Sequence, residues 1–217
     1  MKKVFLIYGI FAALLFAAMN VVVAMPWEGY SSASQTVSEL SAIGAPTRPL
    51  WIALAAVYTV LLIGFGWGVR ESGRRDRRLR ILGGVLIAHA IVGFTWPPMH
   101  QRAVLAAGGA TLTDTLHLVW AAVTILFMML EIGFGAAALG KRFRVYSVAT
   151  AMTLLAFGAL TALDASRVQA NLPTPWAGVW ERVNIGGYLL WLIVLAIALL
   201  HAPDDAVATG RRELRAA

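Results

Sequence analysis

Two histidines and an aspartate in the middle third of the chain could bind a metal ion. The stretch TDTLH places Asp114 and His117 three residues apart, hence on one face of a helix. His100 follows a Pro-Pro pair a few residues earlier. Carboxylate oxygens and imidazole nitrogens are ligands of zinc and manganese. The sequence therefore predicts a candidate metal site made of His100, Asp114 and His117.

Four other polar residues are expected at the same face of the molecule. Glu181 and Arg182 directly precede the last apolar run, and Ser38 and Glu39 lie in the polar stretch SQTVSELSAIGAPTRP. Ser38, Glu39 and Glu181 are candidate catalytic residues. The candidate ligand-binding residues are His100, Asp114, His117, Glu181 and Arg182.

The same residues also fit a structural interpretation, in which they form a network of hydrogen bonds and ion pairs. Asp114 would cap a helix, which is an ordinary role for aspartate. His117 would be a hydrogen-bonded interface residue, and Glu181 would pair with Arg102 or Arg48. The sequence leaves this interpretation open beside the metal-binding and ligand-binding ones.

A second pair of ionisable residues lies inside the apolar runs. His89 and Glu131 each lie about eight residues from the same end of their runs, roughly 12 Å deep at 1.5 Å per residue. Ionisable side chains within membrane helices are costly and usually face the bundle interior. We therefore predict that His89 and Glu131 face each other, either as a proton relay or substrate site or as a structural hydrogen-bonded pair.

The elements that must position these residues are six long apolar runs. Hydrophobic residues make up 59% of the 217 residues and charged residues 13%, about half of the charged fraction of a soluble domain. Each run approaches the roughly 20 helical residues that cross a bilayer. The sequence thus predicts an all-α polytopic membrane protein with a six-helix bundle over residues 1–201 and a polar cytoplasmic tail at 202–217. The predicted spans are about 4–25, 50–69, 81–96, 116–139, 147–163 and 184–201.

Basic residues are distributed unevenly between alternate connecting segments. Fourteen of the 18 Lys and Arg residues lie in the two termini and in the two segments expected on their side. The positive-inside rule then predicts cytoplasmic N- and C-termini, which an even number of spans also requires. Because topology explains the basic segments, no nucleic-acid partner is expected. The four remaining basic residues are Arg48, Arg102, Arg167 and Arg182.

A short capped helix is predicted over 36–43, between the first two spans. Thr36 and Glu39 fit a capping box. Gly44 fits the left-handed residue that follows a helix end, and Pro46 blocks continuation. The fold class therefore includes a short surface helix on the outer face.

The apolar face of that helix predicts where it lies. Val37, Leu40 and Ile43 should pack down across the outer mouth of the bundle, over the polar cluster. Glu39 would then be either a cap bonded to the Thr36 amide or a site residue directed at His117 or Arg182.

Four stretches resemble the bacterial and archaeal membrane family called domain of unknown function 998. They are SQTVSELSAIGAPTRPLW, PPMHQRA, TDTLHLVW and GVWERVNIGGYLLW, in the expected order. The resemblance implies a six-span protein of a bacterial or archaeal cytoplasmic membrane and carries no reaction. The candidate residues are also loosely similar to the Ser, Asp and His site of the alkaline ceramidase and adiponectin receptor superfamily. That superfamily's His-x-x-x-His pair is missing here, where the last span carries His201 alone.

Three functions follow from these observations. The first is non-enzymatic binding of a lipid or small amphiphile in an outward-facing polar cavity. The second is a metal-dependent intramembrane hydrolase of lipids or amides, with zinc held by His100, Asp114 and His117. The third is a structural or accessory subunit, for which a membrane protein or a second copy of the chain would be the partner. Membrane lipids are expected partners throughout.

Overall fold

The computed structural model describes residues 1–202, which form eight α-helices and one 3-10 helix and contain no β-strand. The predicted tail therefore lies outside the described residues, except for Ala202. The 3-10 helix is Ser38–Ser41. The α-helices are α1 (Lys2–Val22), α2 (Arg48–Ser72), α3 (Arg77–Phe94), α4 (Arg102–Ala106), α5 (Leu112–Ala138), α6 (Lys141–Leu163), α7 (Ala165–Gln169) and α8 (Ala177–His201).

Five helical segments are long and apolar enough to cross a membrane. They are Lys2–Val22, Arg48–Ser72, Leu112–Ala138, Lys141–Gln169 and Ala177–His201. The remaining predicted span, 81–96, falls almost entirely within α3. Three arginines in the first turn of α3, Arg77, Arg78 and Arg80, leave that helix a shorter apolar stretch. The predicted all-α membrane bundle is confirmed, with five strong span candidates.

The long helices form a closed ring of contacts, in which α8, the last of them in the chain, lies between α6 and α1. α1, α2 and α3 are consecutive neighbours, and α3, α5, α6, α8 and α1 then follow one another in contact. Along α8, Tyr188, Trp191, Leu192, Leu195 and Ala196 are each at most 1% exposed. These side chains share one apolar core with residues of the other long helices. The last helix therefore closes the ring of helices between α6 and α1 and contributes one buried face to the shared core.

Two glycines allow α2 and α3 to approach closely. A Cβ atom added to Gly66 would lie 2.8 Å from the Gly83 carbonyl oxygen, and one added to Gly83 would lie 2.6 Å from the Arg70 backbone nitrogen. Both distances are well inside van der Waals contact with backbone atoms, which cannot rotate away. Small residues at membrane helix interfaces let two backbones come together in this way.

The helix predicted over 36–43 is too long. The structure has a 3-10 helix at Ser38–Ser41 only, because Ala42 is extended with φ −61° and ψ 153°. The amide of Ile43 donates to the Met99 carbonyl at 2.7 Å, in a parallel bridge between Ile43 and His100. In an α-helix that amide would bond to the Glu39 carbonyl, so the bridge to a second loop ends the helix.

Two of the three apolar residues pack as expected, whereas Ile43 lies beyond the 3-10 helix and is half-buried. Val37 and Leu40 are 3% and 0% exposed, and they contact a cluster that includes Met19 and Trp51. Gly44 adopts the expected left-handed conformation, with φ +82°. The 3-10 helix is therefore fixed to the ends of α1 and α2 by apolar contact.

Candidate functional site

Three long connecting segments meet at one end of the bundle, which we call the loop face. It comprises residues 23–47, 95–111 and 164–176, including the 3-10 helix, α4 and α7. Contacts between α4 and α7 join the second and third segments, and the bridge between Ile43 and His100 joins the first and second. The predicted polar cluster lies at this end, with some of its members on the adjoining turns of α5 and α8.

Glu39 is the centre of a buried hydrogen-bond network at the loop face, and it is 2% exposed. Its Oε1 accepts a hydrogen bond from Arg102 Nε at 2.7 Å, and its Oε2 accepts one from Arg102 Nη2 at 2.7 Å. The same Oε2 accepts the Thr36 backbone amide at 2.7 Å, as the cap interpretation predicts. Glu39 thus caps its own turn and forms a two-bond ion pair with the first residue of α4.

Arg102 connects all three segments of the loop face. Besides pairing with Glu39, its Nη1 donates to the Thr174 hydroxyl at 2.8 Å and its Nη2 donates to the Ser34 carbonyl at 3.0 Å. Thr174 in turn donates to the same carbonyl at 2.8 Å. The guanidinium is therefore held in one position by partners from separate parts of the chain.

Glu181, near the start of α8, holds the beginning of the 3-10 helix. Its Oε1 accepts the Ser38 hydroxyl at 3.1 Å, and its Oε2 accepts the Val37 backbone amide. The predicted pairing of Glu181 with one of two arginines is wrong, because each of those arginines bonds elsewhere. Arg102 pairs with Glu39, and Arg48 donates to the Ser41 carbonyl.

The side chain of Arg182 binds backbone carbonyls and one hydroxyl of the first loop. Its Nη1 donates to the Ser32 and Gln35 carbonyls at 2.7 and 3.0 Å, and its Nη2 donates to the Tyr30 hydroxyl at 2.7 Å. Tyr30 donates to the Thr36 carbonyl at 2.8 Å. Burial raises the pKa of Tyr30 to about 12, so the phenol stays protonated and keeps this donor at neutral pH.

Asp114 joins the start of α5 to the loop before α4. It forms a capping box with Thr111, whose amide donates to Asp114 Oδ2 at 2.8 Å. Its Oδ1 accepts the His100 backbone amide at 2.7 Å, and His100 Nδ1 lies 2.9 Å from Oδ2. The sequence correctly indicated both the helix cap and the proximity of His100 to Asp114.

His117 has a separate partner. Its Nδ1 lies 2.7 Å from the Pro97 carbonyl, which can only accept, so the ring carries a proton at that nitrogen. Among residues 1–202, no group of three or more His, Cys, Asp and Glu side chains is arranged to hold a metal ion. Of the three predicted ligands, His100 and Asp114 contact each other, and His117 instead contacts the backbone of the loop.

A cavity of about 470 Å³ opens at the loop face beside this network. Its wall includes the Arg102 guanidinium and is completed by segments of the first and third loops. A smaller cavity of about 140 Å³, also bordered by Arg102 and Gln35, adjoins it. The polar residues that line the larger cavity are Ser31, Ser34, Gln35, Arg102, Asn171 and Thr174, of which Thr174 is buried.

The structure also brings His89 and Glu131 together inside the bundle. His89 Nδ1 lies 3.0 Å from Glu131 Oε1, and the two residues are 6% and 0% exposed. The Tyr188 hydroxyl donates to Glu131 Oε2. Glu131 is therefore bonded at both oxygens, by residues of α3 and α8.

The residues of these sites that sequence reasoning missed include Tyr30, Thr174 and Tyr188. Tyr188 could have been found, because a tyrosine in the middle of an apolar span carries a hydroxyl that needs a partner. Tyr30 and Thr174 lie in loops among many other polar residues, and no pattern separates them.

Long apolar helices, with the charged and histidine side chains of residues 1–202 confined to the ends of the bundle and to the His89–Glu131 pair, define a polytopic helical membrane protein. The chain belongs to the family described as Protein of unknown function (DUF998), whose model matches residues 10–198. No curated protein and no solved structure matches the chain. The family match confirms the resemblance expected from the four sequence stretches.

Proposed function

We propose that this protein binds the polar headgroup of a lipid or small amphiphile in the cavity of the loop face, without catalysing a reaction. The observation that supports this proposal is the cavity of about 470 Å³ beside Arg102. Ligand cavities commonly measure roughly 300–1,000 Å³. The cavity opens at an end of an apolar bundle, where a bound amphiphile can keep its tail along the helices.

The wall of the cavity suits a headgroup that accepts hydrogen bonds. Arg102, the Gln35 amide and the hydroxyls of Ser31 and Ser34 offer donors there, whereas the Thr174 hydroxyl already donates to the Ser34 carbonyl. The positive charge of Arg102 is already paired with Glu39 at 2.7 Å. A neutral or zwitterionic headgroup therefore fits better than a strongly anionic one, because the cavity has no uncompensated positive charge from that arginine.

The hydrogen bonds of the candidate catalytic residues favour a binding function over catalysis. The Ser38 hydroxyl donates to Glu181, and both oxygens of Glu39 accept from Arg102. These bonds hold the loop backbone, so using the groups on a substrate would first dismantle the loop face. A zinc-dependent hydrolase would need at least three metal ligands close together, and residues 1–202 contain no such group of His, Cys, Asp and Glu side chains; the proposed function uses no metal.

Filling the cavity tests this proposal. Ser34 lines the cavity and is half-buried, while its carbonyl makes the bonds to Arg102 and Thr174. Ser34→Phe should occupy the cavity and keep those backbone bonds. We expect bound lipid or amphiphile, measured by native mass spectrometry after gentle purification, to fall about tenfold, or roughly 1.4 kcal/mol of binding free energy.

The matched control is Ser166→Phe, at an exposed serine of α7 that does not line the cavity. This variant should retain the ligand at the level of the unmodified protein. Equal retention by both variants, with both correctly folded, would place the ligand elsewhere and contradict the proposal.

We also propose that the loop face is external and that both chain ends are cytoplasmic, in the cytoplasmic membrane of a bacterium or archaeon. The support is the concentration of Lys and Arg at the opposite end, which the positive-inside rule assigns to the cytoplasm. α3 then completes six crossings. Membrane lipids are the proposed partners, and neither a protein partner nor a second copy of the chain is required.

Cysteine labelling in intact cells tests this orientation, since the chain has no cysteine of its own. Ser32 on the loop face and Gly140 at the opposite end are both exposed. A membrane-impermeant thiol reagent should label Ser32→Cys and not Gly140→Cys, and both should react after permeabilisation. Labelling of Gly140→Cys alone in intact cells would invert the proposed topology.

A further inference from the structure

Three titratable side chains from three helices meet in the apolar interior of the bundle. They are His89 of α3, Glu131 of α5 and Tyr188 of α8, each at most 6% exposed. The contacts form a closed triangle, because Tyr188 also lies 3.4 Å from His89 Nδ1. Phe127 stacks on the His89 ring, with centroids 5.3 Å apart and planes 8° apart. The triangle is thus enclosed by apolar surface.

The charge of this cluster depends on a single proton. A Glu131 carboxylate beside a singly protonated His89 carries one net negative charge, even with two hydrogen-bond donors. One additional proton makes the pair neutral, whether it resides on the carboxyl or on the imidazole. An unbalanced charge is costly where the surroundings are apolar and no water is near. The neutral form is therefore strongly favoured.

We infer that Glu131 and His89 together form a proton-binding site, in which one dissociable proton is shared across the 3.0 Å contact between Oε1 and Nδ1. Binding adds H⁺ to the carboxylate–imidazole pair, and release returns it. The donor from Tyr188 fixes the other carboxylate oxygen, so the shared proton lies on the side of His89.

The other groups around the pair do not supply an alternative neutralising charge. Tyr188 faces it from α8, and Tyr58 of α2 interacts electrostatically with Glu131. Both are phenols that are neutral at ordinary pH. Among the contacts of the described residues, Glu131 has no arginine or lysine partner. The compensating positive charge must therefore be the proton itself.

Proton release is linked to helix movement. α8 packs on α5 through Trp191, which lies against Gly135, and the bond from Tyr188 to Glu131 is a second connection between these helices. A net charge left on the pair would attract water, and water can reach it only if these helices separate. Occupancy of the site by its proton therefore favours the closed arrangement of α3, α5 and α8.

Spectroscopy of the full-length protein in lipid nanodiscs tests the inference. Infrared spectra report a carboxylic-acid C=O stretching band, and ¹⁵N NMR of labelled histidine reports whether one or both ring nitrogens carry a proton. We expect either an acid band that is lost in Glu131→Gln or a doubly protonated ring signal that is lost in His89→Asn. The spectra are recorded at neutral pH.

Two exposed residues provide controls. Glu28→Gln should leave the acid band unchanged, and His201→Asn should remove only the ring signal of that exposed histidine. The infrared and NMR readouts are independent, so failure of one variant to fold leaves the other assignment available. A carboxylate at Glu131 together with a singly protonated His89 ring at neutral pH would overturn the inference.

Discussion

Glu39→Gln is expected to lower the free energy of unfolding by about 3–5 kcal/mol, the usual cost of removing one partner from a buried ion pair. The side chains of Arg102 and Glu39 are only 12% and 3% exposed, so the arginine would keep its charge with little water nearby. An amide also cannot accept at both positions, since one of its two ends is a donor. Chemical or thermal unfolding in detergent, compared with the unmodified protein, measures the loss.

Two comparisons make this prediction specific. Glu71→Gln removes a carboxylate whose partner, Arg74, is 80% exposed, so we expect it to cost about 0–1 kcal/mol. The double variant Glu39→Gln/Arg102→Gln removes the buried charge as well and should recover part of the stability. If Glu39→Gln is as mild as Glu71→Gln, Glu39 serves only as a cap and the ion pair contributes little.

Gly83→Ala should destabilise the bundle by about 1–3 kcal/mol, as overpacking of a close-packed interface does. The new methyl group would lie 2.6 Å from the Arg70 nitrogen and against the Gly66 carbonyl oxygen, so α2 and α3 would have to separate. Unfolding measurements should show the loss, and crosslinking between the two helices should become less efficient.

The neighbouring glycine is the natural control. A Cβ on Gly84 would meet only the end of the Arg70 side chain, at 3.8 Å. Gly84→Ala should therefore be neutral or should stabilise α3 by up to about 1 kcal/mol, the helix propensity difference between the two residues. Equal effects of the two substitutions would show that the close approach of α2 and α3 is unimportant.

The helices and the local caps could be predicted because each depends on residues near in sequence. Long apolar runs define the helices of the bundle, and short spacings define the contact of Glu39 with Thr36 and of Asp114 with Thr111. The contact between His89 and Glu131 could also be predicted, because consecutive long spans tend to pack together and the two residues lie at the same depth.

The remaining features depend on residues that are distant in sequence. Glu39 and Arg102 are 63 positions apart, and no pattern in either loop states that they pair. The predicted length of the short helix was wrong for the same reason, because the helix end is set by the bridge from Ile43 to the loop at His100. Likewise, the partners of Glu181 depend on how the first loop lies over α8.

The hydrogen bonds from α8 to the first loop have a consequence for how the chain is assembled during synthesis. Glu181 binds Val37 and Ser38, which precede it by 144 and 143 positions. Since a chain is made from its N-terminus, the first loop emerges long before the helix that completes it. Until that helix is inserted, the Val37 amide and the Ser38 hydroxyl must be satisfied by water. The loop that is synthesised first therefore completes its hydrogen bonds last, and it reaches its native conformation only after α8 has been inserted.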